Sequence, residues 1–291
     1  MTKKLFDISK KIDNYRSEII LFLNNVCGLL DIPFFIVGAT ARDITLEYIY
    51  EIRNYRATND IDFGIRINNW NKFDILRTEI LKNSRFSKDE RIEHRLLYDE
   101  VYPIDVIPFG EIATTEGKFV WPQGKNEFTV LGFEEAYNNS LSVKIRNNPE
   151  VFVHFATTAS LCVLKLISWF ERYPERTRDA IDITYLIEFY LDTGNQERLN
   201  DEESDLIDEN FDYIFTGAKL LGRDIASNFQ KETLKLLEKI LDEETADNSK
   251  YRLIEDMMKS RTIREEKDFD YYLKLLQNII LGLRDKNNNH Y

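Results

Sequence analysis

Apolar residues follow two different spacings in the two halves of the chain, and this change limits the folds that the sequence can adopt. From residue 34 to about residue 145, short runs rich in β-branched and aromatic residues alternate with helical stripes. From residue 155 onward, nearly all apolar residues recur at helical spacing. The sequence therefore predicts an α+β protein, with an α/β domain over residues 1–150 and an all-helical domain over residues 151–291.

The composition restricts the partners and the compartment. Asp and Glu number 51 against 39 Lys and Arg, a formal net charge of −12, so any contact with nucleic acid must be local. Cys27 and Cys162 lie in apolar helical patterns and are expected to be buried free thiols, as in a reducing compartment. Because no run of about 18 consecutive apolar residues occurs, we expect a cytoplasmic protein without a membrane span.

The stretch FIVGATARD, residues 35–43, predicts a strand that turns into a helix at Gly38. The expected strand covers residues 34–37, and the expected helix covers residues 41–52. Amides at the start of a helix and the helix dipole favour an anion, and glycine lets the backbone approach one closely. A purely structural turn also explains such a glycine, so this stretch alone does not establish a binding site.

Two aspartates interrupt an apolar alternation in NDIDFGIRI, residues 59–67. As a strand, this stretch would place Asp60 and Asp62 on one face, side by side. Aspartate is a poor strand former and like charges repel, so two aspartates here are unfavourable unless a ligand compensates their charge. A divalent cation is such a ligand, because Mg²⁺ binds carboxylates together with substrate phosphates. The alternative is a solvated edge strand.

A third aspartate, Asp105, is framed by apolar residues in VYPIDVIPFG, residues 101–110. This stretch also predicts a strand, and a carboxylate on a neighbouring strand could complete a site for two metal ions. In such a site one ion activates the attacking oxygen and the other stabilises the leaving phosphate. The three acids together favour metal-dependent phosphate chemistry over ordinary surface charge.

The stretches VGATARD, TNDIDFGI and PIDVIPFG together resemble the DNA polymerase beta nucleotidyltransferase superfamily. The chain is most similar to AbiEii-type nucleotidyltransferases, the toxins of type IV toxin–antitoxin systems, in the order of these stretches, in the sequence RATNDIDFGIR and in the later sequence VLGFEEA. The resemblance covers most of residues 30–225. It implies a small mixed sheet backed by helices, binding an NTP with Mg²⁺ or Mn²⁺, and a helical domain that closes on the nucleotide.

The resemblance also implies roles for particular residues. The catalytic and metal-holding residues would be Asp60, Asp62 and Asp105. The nucleotide-binding residues would be Gly38, Ala39, Thr40, Arg42, Lys165 and Asp182. Ala39 stands where the family often has glycine or serine, so the hydroxyl contact to phosphate would fall to Thr40 or be absent. For Arg42, an internal helix pair with Asp43 is an equally good explanation.

Lys165 is the only charged residue in FATTASLCVLKLISWF, residues 155–170, a helix that is apolar on nearly every face. A buried ammonium without a partner is costly, so the side chain either reaches solvent or meets a negative group. In the next helix, Asp179 and Asp182 share a face by their spacing of three. Two interpretations stay open: Lys165 pairs with Asp182, or it binds a triphosphate while Asp182 orients it.

The predicted activity is transfer of a nucleoside monophosphate from an NTP to an acceptor, with release of pyrophosphate. The acceptor would be an RNA such as a tRNA 3′ end, a protein hydroxyl or a small molecule, and a cognate antitoxin is an expected partner. The alternative is a nucleotide-binding module that does not turn over. His94 could approach the site, although a strand histidine held by a neighbour is the better explanation.

Overall fold

The computed structural model describes residues 5–53, 58–122, 124, 127–259 and 269–287. The chain divides into two compact units, Met1–Thr157 and Thr158–Tyr291. The first unit is α/β and the second is helical, which confirms the predicted α+β class. Residues 56 and 57, which open the motif RATNDIDFGIR, lie outside the described residues.

The first unit holds all the strands found in the described residues. They are β1 Phe6–Asp7, β2 Phe34–Val37, β3 Ile61–Arg66, β4 Phe86–Lys88, β5 Arg95–Tyr98, β6 Tyr102–Phe109, β7 Lys118–Val120, β8 Glu127–Thr129, β9 Leu141–Asn147 and β10 Glu150–Phe155. Its helices are α1 Asn14–Leu29, α2 Gly38–Asp43, α3 Trp70–Ile80 and α4 Phe133–Asn138, and a π-helical segment, Ile44–Ile49, continues α2.

Eight of these strands form one mixed sheet in the order β1-β9-β10-β2-β3-β6-β5-β4, and β7 and β8 form a separate hairpin. In the centre, β2 pairs with β3 antiparallel and β3 pairs with β6 parallel. A parallel pair needs a crossover connection, which α3 and the β4–β5 hairpin supply between β3 and β6. The sheet is therefore mixed, as the resemblance implies, although several of its eight strands are only two to four residues long.

The helix after β2 begins and ends three residues earlier than the predicted range of 41–52. Gly38 has a φ of +64°, and this left-handed backbone turns the strand directly into the helix. Small residues after Gly38 resemble a loop in the sequence, whereas in the structure they form the first helical turn. The helix then widens into the π-helical segment and ends at Ile49.

The second unit consists of helices and short 3₁₀ turns throughout its described residues. The helices are α5 Thr158–Glu171, α6 Arg178–Glu188, α7 Tyr213–Asn228, α8 Lys231–Thr245, α9 Arg252–Met257 and α10 Phe269–Asn287. The 3₁₀ turns are Gln196–Asn200 and Ser204–Leu206. No helix in the described part of the chain is both long enough and apolar enough to cross a membrane.

Candidate active site

The parallel pairing of β3 with β6 brings two of the three predicted acids together. Asp62 and Asp105 are register partners, so their side chains point to the same face of the sheet from adjacent strands. Adjacent strands lie about 4.8 Å apart, which is close enough for the two carboxylates to share a ligand. Asp62 is half-buried and Asp105 is 8% exposed.

The glycine turn meets the same carboxylates. Val37, the last residue of β2, is the register partner of Asp62, and Gly38 follows it directly. A Cβ atom at Gly38 would lie 1.9 Å from Oδ2 of Asp62, which is far inside van der Waals contact, so the carboxylate would have to move. The left-handed backbone thus favours glycine at this position, and a larger residue would also displace the Asp62 carboxylate beside it. The Gly38 turn and the strand that carries Asp62 are therefore in contact.

The segment before β3 is held by hydrogen bonds from side chains. The hydroxyl of Thr40 donates to the carbonyl of Asp60 at 2.6 Å, and the hydroxyl of Thr58 donates to the Asp60 carboxylate. Arg16 Nη2 donates to the carbonyl of Thr58 at 2.6 Å, and the Tyr15 hydroxyl donates to the next carbonyl, that of Asn59, also at 2.6 Å. Three consecutive carbonyls, at positions 58, 59 and 60, therefore each accept a side-chain hydrogen bond.

Tyr15 and Arg16 were not predicted as site residues. They lie on the first turn of α1, where the sequence shows only a helical stripe. Burial raises the pKa of Tyr15 to about 12, so its hydroxyl stays protonated and remains a donor near neutral pH. Both residues act on Asp60 through the backbone.

Arg95 is a further site residue that was not predicted from the sequence. It faces Asp105 across the antiparallel β5–β6 pair, and its guanidinium grips both carboxylate oxygens, Nε to Oδ1 at 2.7 Å and Nη2 to Oδ2 at 2.8 Å. These hydrogen bonds raise the pKa of the Arg95 guanidinium, and the charge of Asp60 contributes to the same shift. Asp60 therefore lies within electrostatic range of the Arg95–Asp105 pair.

His94 lies beside this pair. Its Nε2 is 3.9 Å from Oδ2 of Asp105, and its ring stacks on Trp121 with a centroid separation of 5.6 Å. Trp121 itself is buried among Phe119 and Phe128. The stacking agrees with a histidine held by its neighbours, while its position places it at the edge of the site.

The remaining predicted residues of the glycine turn are buried. Ala39 is 8% exposed, and Thr40 and Arg42 are not exposed at all. Arg42 donates to Oδ1 of Asp43 from Nε at 3.0 Å and from Nη2 at 2.5 Å, and Arg16 lies 3.6 Å from the same carboxylate. Of the two interpretations open for Arg42, this geometry favours the internal pair, since a fully buried guanidinium offers no surface to a nucleotide.

Lys165 belongs to the second unit and forms a buried ion cluster there. Its Nζ donates to Asp182 at 2.5 Å and to Asp179 at 3.2 Å, and Arg176 donates to Asp179 at 2.8 Å. Lys165, Asp179 and Asp182 are at most 6% exposed. Pairing with Asp182 was one of the two predicted interpretations, and Asp179 joins it through the spacing of three seen in the sequence.

The three predicted metal ligands fit a divalent cation only in part. Within the residues that the structure describes, no group of three or more His, Cys, Asp or Glu side chains is arranged to hold a metal ion. Both oxygens of Asp105 are engaged by Arg95. Mg²⁺ usually takes one or two protein carboxylates and completes its shell with water and substrate phosphates. A site of that kind needs only two of the three acids, and no ready-made cluster of three carboxylates is formed in the described residues.

Comparison with known protein families gives an extended match. The model of the family of nucleotidyl transferase AbiEii toxins, from type IV toxin–antitoxin systems, matches residues 20–275. A search of curated proteins found no significant match.

Three solved structures resemble this chain at low sequence identity and low TM-score. An antigenic nucleotidyltransferase-like protein from Paracoccidioides brasiliensis is 18% identical, with a TM-score of 0.39 over 65% of this chain and 89% of that one. The antibiotic-resistance factor ANT(2'')-Ia is 14% identical, with a TM-score of 0.34 over 67% of this chain and 98% of its own. The Thermotoga maritima CCA-adding enzyme, complexed with tRNA, is 12% identical, with a TM-score of 0.28 over 97% of this chain and 84% of its own.

Proposed function

The chain belongs to the AbiEii family of nucleotidyl transferase toxins, and we propose that it transfers a nucleoside monophosphate from an NTP to an acceptor hydroxyl and releases pyrophosphate. The observation that carries this proposal is the meeting of the Gly38 turn with the Asp62 carboxylate, beside its register partner Asp105. A phosphate-binding turn and metal-binding carboxylates are the two parts that nucleotidyl transfer requires at one place.

In the proposed site, Asp60 and Asp62 would hold the Mg²⁺ or Mn²⁺ of the metal–nucleotide complex. When bound, that cation would neutralise phosphate charge and lower the pKa of the attacking hydroxyl. The turn at Gly38 binds phosphate through backbone amides at the start of α2. Thr40, Tyr15 and Arg16 keep Asp60 in place, so the protein contributes mainly positioning and charge neutralisation.

The chemical step exchanges one phosphorus–oxygen bond for another. The acceptor oxygen bonds to the α-phosphorus while the bond to the α–β bridging oxygen breaks, and pyrophosphate leaves with that electron pair. The acceptor proton passes to a carboxylate of the site or to water. Asp105 is the candidate base among the three acids, once one of its oxygens is released by Arg95.

For the acceptor we propose an RNA 3′ end, such as that of a tRNA, with a protein hydroxyl as the alternative. Either modification would be toxic if the blocked RNA end or the modified protein were needed for translation. Membership of a type IV toxin–antitoxin family supports a cognate antitoxin as the partner that relieves this toxicity. The net charge of −12 requires that any RNA contact be confined to a local surface.

The test is transfer of label from each of the four α-³²P-labelled NTPs in the presence of Mg²⁺ and cell extract. We expect one NTP to label material that ribonuclease removes, and Asp62→Asn to abolish the labelling while its thermal melt stays close to that of the wild type. Label removed by protease identifies a protein acceptor. If no NTP gives label and no NTP raises the melting temperature, the proposal is wrong.

One observation favours a second candidate, a nucleotide-binding module without turnover. The Arg95–Asp105 pair occupies both oxygens of the third acid, which would suit a site that binds nucleotide and goes no further. Such a protein would melt at a higher temperature with Mg-NTP and still transfer no label. The labelling experiment therefore separates the two candidates.

A further inference from the structure

The Arg95–Asp105 pair is fixed by the fold on one side and open on the other. The two residues are register partners in β5 and β6, so the backbone itself holds the guanidinium opposite the carboxylate. The Asp105 side chain is 11% exposed, while the Arg95 side chain is 26% exposed. A ligand in solvent can therefore reach the arginine more easily than the carboxylate behind it.

The bonding between the two groups leaves Asp105 a poor metal ligand. A guanidinium that meets both oxygens of a carboxylate forms two parallel charge-assisted hydrogen bonds, the strongest kind available to a side-chain pair. A cation must displace at least one of these bonds before it can bind Asp105.

The guanidinium has a natural second partner. Arginine binds the oxygens of phosphate in the same two-pronged way as those of a carboxylate. A nucleotide bound at the Gly38 turn would place phosphates beside Asp62 and therefore near its register partner Asp105. Phosphate can then take the guanidinium, and Asp105 is released at the moment when a substrate is present.

We propose that Arg95 is a positioning residue that withholds Asp105 from the metal in the nucleotide-free protein and releases it when nucleotide phosphate binds the guanidinium. The inference rests on the proposed function, which supplies the nucleotide and the cation. It predicts an order of events. The nucleotide binds together with its metal ion, Asp60 and Asp62 bind that ion first, and Asp105 becomes a ligand of the ion afterwards. Free divalent cations alone would not assemble the complete site.

The test measures Mn²⁺ binding by electron paramagnetic resonance, without nucleotide and then with a non-hydrolysable α,β-methylene NTP. Arg95→Gln frees Asp105, so nucleotide-free Mn²⁺ affinity should rise roughly tenfold or more, the equivalent of one charge-assisted hydrogen bond. The same variant should bind the analogue roughly tenfold more weakly, because a phosphate contact is lost. Unchanged Mn²⁺ affinity in Arg95→Gln would overturn the proposal.

A matched control exists in the same sheet. Arg85 makes the same two-pronged contact, with Asp99, through Nε at 2.9 Å and Nη2 at 2.5 Å, but this pair is exposed. Arg85→Gln removes an equal charge and the same two-pronged contact outside the site, together with a hydrogen bond from Nη1 to Glu18. It should bind Mn²⁺ and the analogue as the wild type does, and a change equal to that of Arg95→Gln would mean that only net charge matters, which overturns the proposal.

Asp105→Asn tests the proposal without touching Arg95 and serves if Arg95→Gln does not fold. Since Asp105 is withheld in the nucleotide-free protein, this variant should have wild-type Mn²⁺ affinity without nucleotide and reduced affinity with the analogue. A loss without nucleotide would show that Asp105 already binds the metal, and the proposal would be wrong. The proposed function fails separately if, in the wild type, the analogue does not strengthen Mn²⁺ binding and Asp62→Asn has no effect on it.

Discussion

At the scale of single residues, Gly38 shows how tightly the site constrains the backbone. The position combines a left-handed φ of +64° with a carboxylate where a Cβ atom would stand. The register pair of Asp62 and Asp105 then concentrates negative charge next to this turn. Neighbouring like charges destabilise the protein unless something compensates them, and Arg95 compensates the charge of Asp105.

Gly38→Ala should therefore damage both stability and binding. The left-handed backbone and the displaced Asp62 carboxylate together should lower the free energy of unfolding by about 1–3 kcal/mol. Urea unfolding measures this loss, and the melting shift produced by Mg-NTP should shrink in the same variant. Gly28→Ala is the control, because a Cβ atom at Gly28 in α1 would meet nothing within 4 Å. That helical substitution should leave stability unchanged or raise it by about 0.5–1 kcal/mol.

Lys165→Met tests the buried ion cluster of the second unit. Removing the ammonium leaves the fully buried Asp182 without its 2.5 Å partner, and breaking such a pair should reduce the free energy of unfolding by about 3–5 kcal/mol. The double change Lys165→Met with Asp182→Leu removes both charges and should recover much of the loss in a urea melt. Lys239→Met is the control: its ammonium is exposed and 3.8 Å from Glu243, so the change should stay within about 0.5 kcal/mol.

The opposite result for Lys165 is equally informative. A Lys165→Met protein that melts as the wild type does, yet loses its stabilisation by Mg-NTP, would assign the lysine to triphosphate binding. Asp179 would then keep Arg176 as its partner, at 2.8 Å, and the second unit would remain intact.

At the scale of elements, helices α7 and α10 approach each other through two glycines. A Cβ atom at Gly222 would lie 2.2 Å from the carbonyl oxygen of Ile279, and one at Gly282 would lie 2.0 Å from that of Lys219. The obstacles are backbone atoms, which cannot rotate away as a side chain can. The two helices can approach each other this closely because glycine has no side chain at either position.

Gly222→Ala should consequently separate the two helices. We expect a loss of about 1–3 kcal/mol in the free energy of unfolding, the usual effect of overpacking. Gly217→Ala in the same helix is the matched control, since its nearest neighbour would be the side chain of Leu191 at 3.1 Å, which can adjust. Urea melts monitored by circular dichroism compare the two variants, and equal losses would show that helix contact is not the cause.

At the scale of the whole molecule, the two free cysteines report on the two units separately. Cys27 lies in the first unit and Cys162 in the second, and both are buried free thiols, as predicted. Burial raises the pKa of each thiol from its ordinary value of 9.0 to about 12. Since only the thiolate is reactive, neither should react with iodoacetamide in the folded protein.

The same shift sets the direction of a pH effect. Below pH 9, both the folded and the unfolded chain keep the thiol protons, so these groups do not change stability. Between pH 9 and about 12, the unfolded chain loses the protons while the folded chain keeps them, and stability should fall. Urea melts of Cys27→Ala and Cys162→Ala against the wild type from pH 8 to 11 measure this, and each variant should lose less stability at high pH.

Thiol labelling at pH 8.5 gives the direct check. We expect no modification of the native protein over an hour and complete modification of both cysteines in 8 M urea. Labelling of one thiol at an intermediate urea concentration would show that its unit unfolds before the other. Rapid labelling of either thiol without urea would contradict the burial seen in the structure.

The sequence by itself determined the features that depend on neighbours along the chain. The change of apolar spacing separated the sheet-forming half from the helical half, and the alternation in residues 59–67 predicted a strand. That strand is β3, Ile61–Arg66, which contains Asp62 and begins one residue after Asp60. The lone charge of Lys165 in an apolar helix required a partner, and Asp182 was the predicted one, on a face that it shares with Asp179. Periodicity encodes which face of an element a residue occupies, so these inferences needed no tertiary structure.

Only the tertiary structure decided which faces meet and in what register. A strand's alternation says nothing about its partner's register, so the pairing of Asp105 with Arg95 depended on how β5 folds back on β6. Tyr15 and Arg16 reach carbonyls more than 40 residues away, a distance that no local pattern encodes. The contact of Gly38 with Asp62 likewise exists because β2 and β3 are antiparallel neighbours in one sheet. Such contacts join segments far apart in the chain, and their geometry is set by the packing of the whole unit.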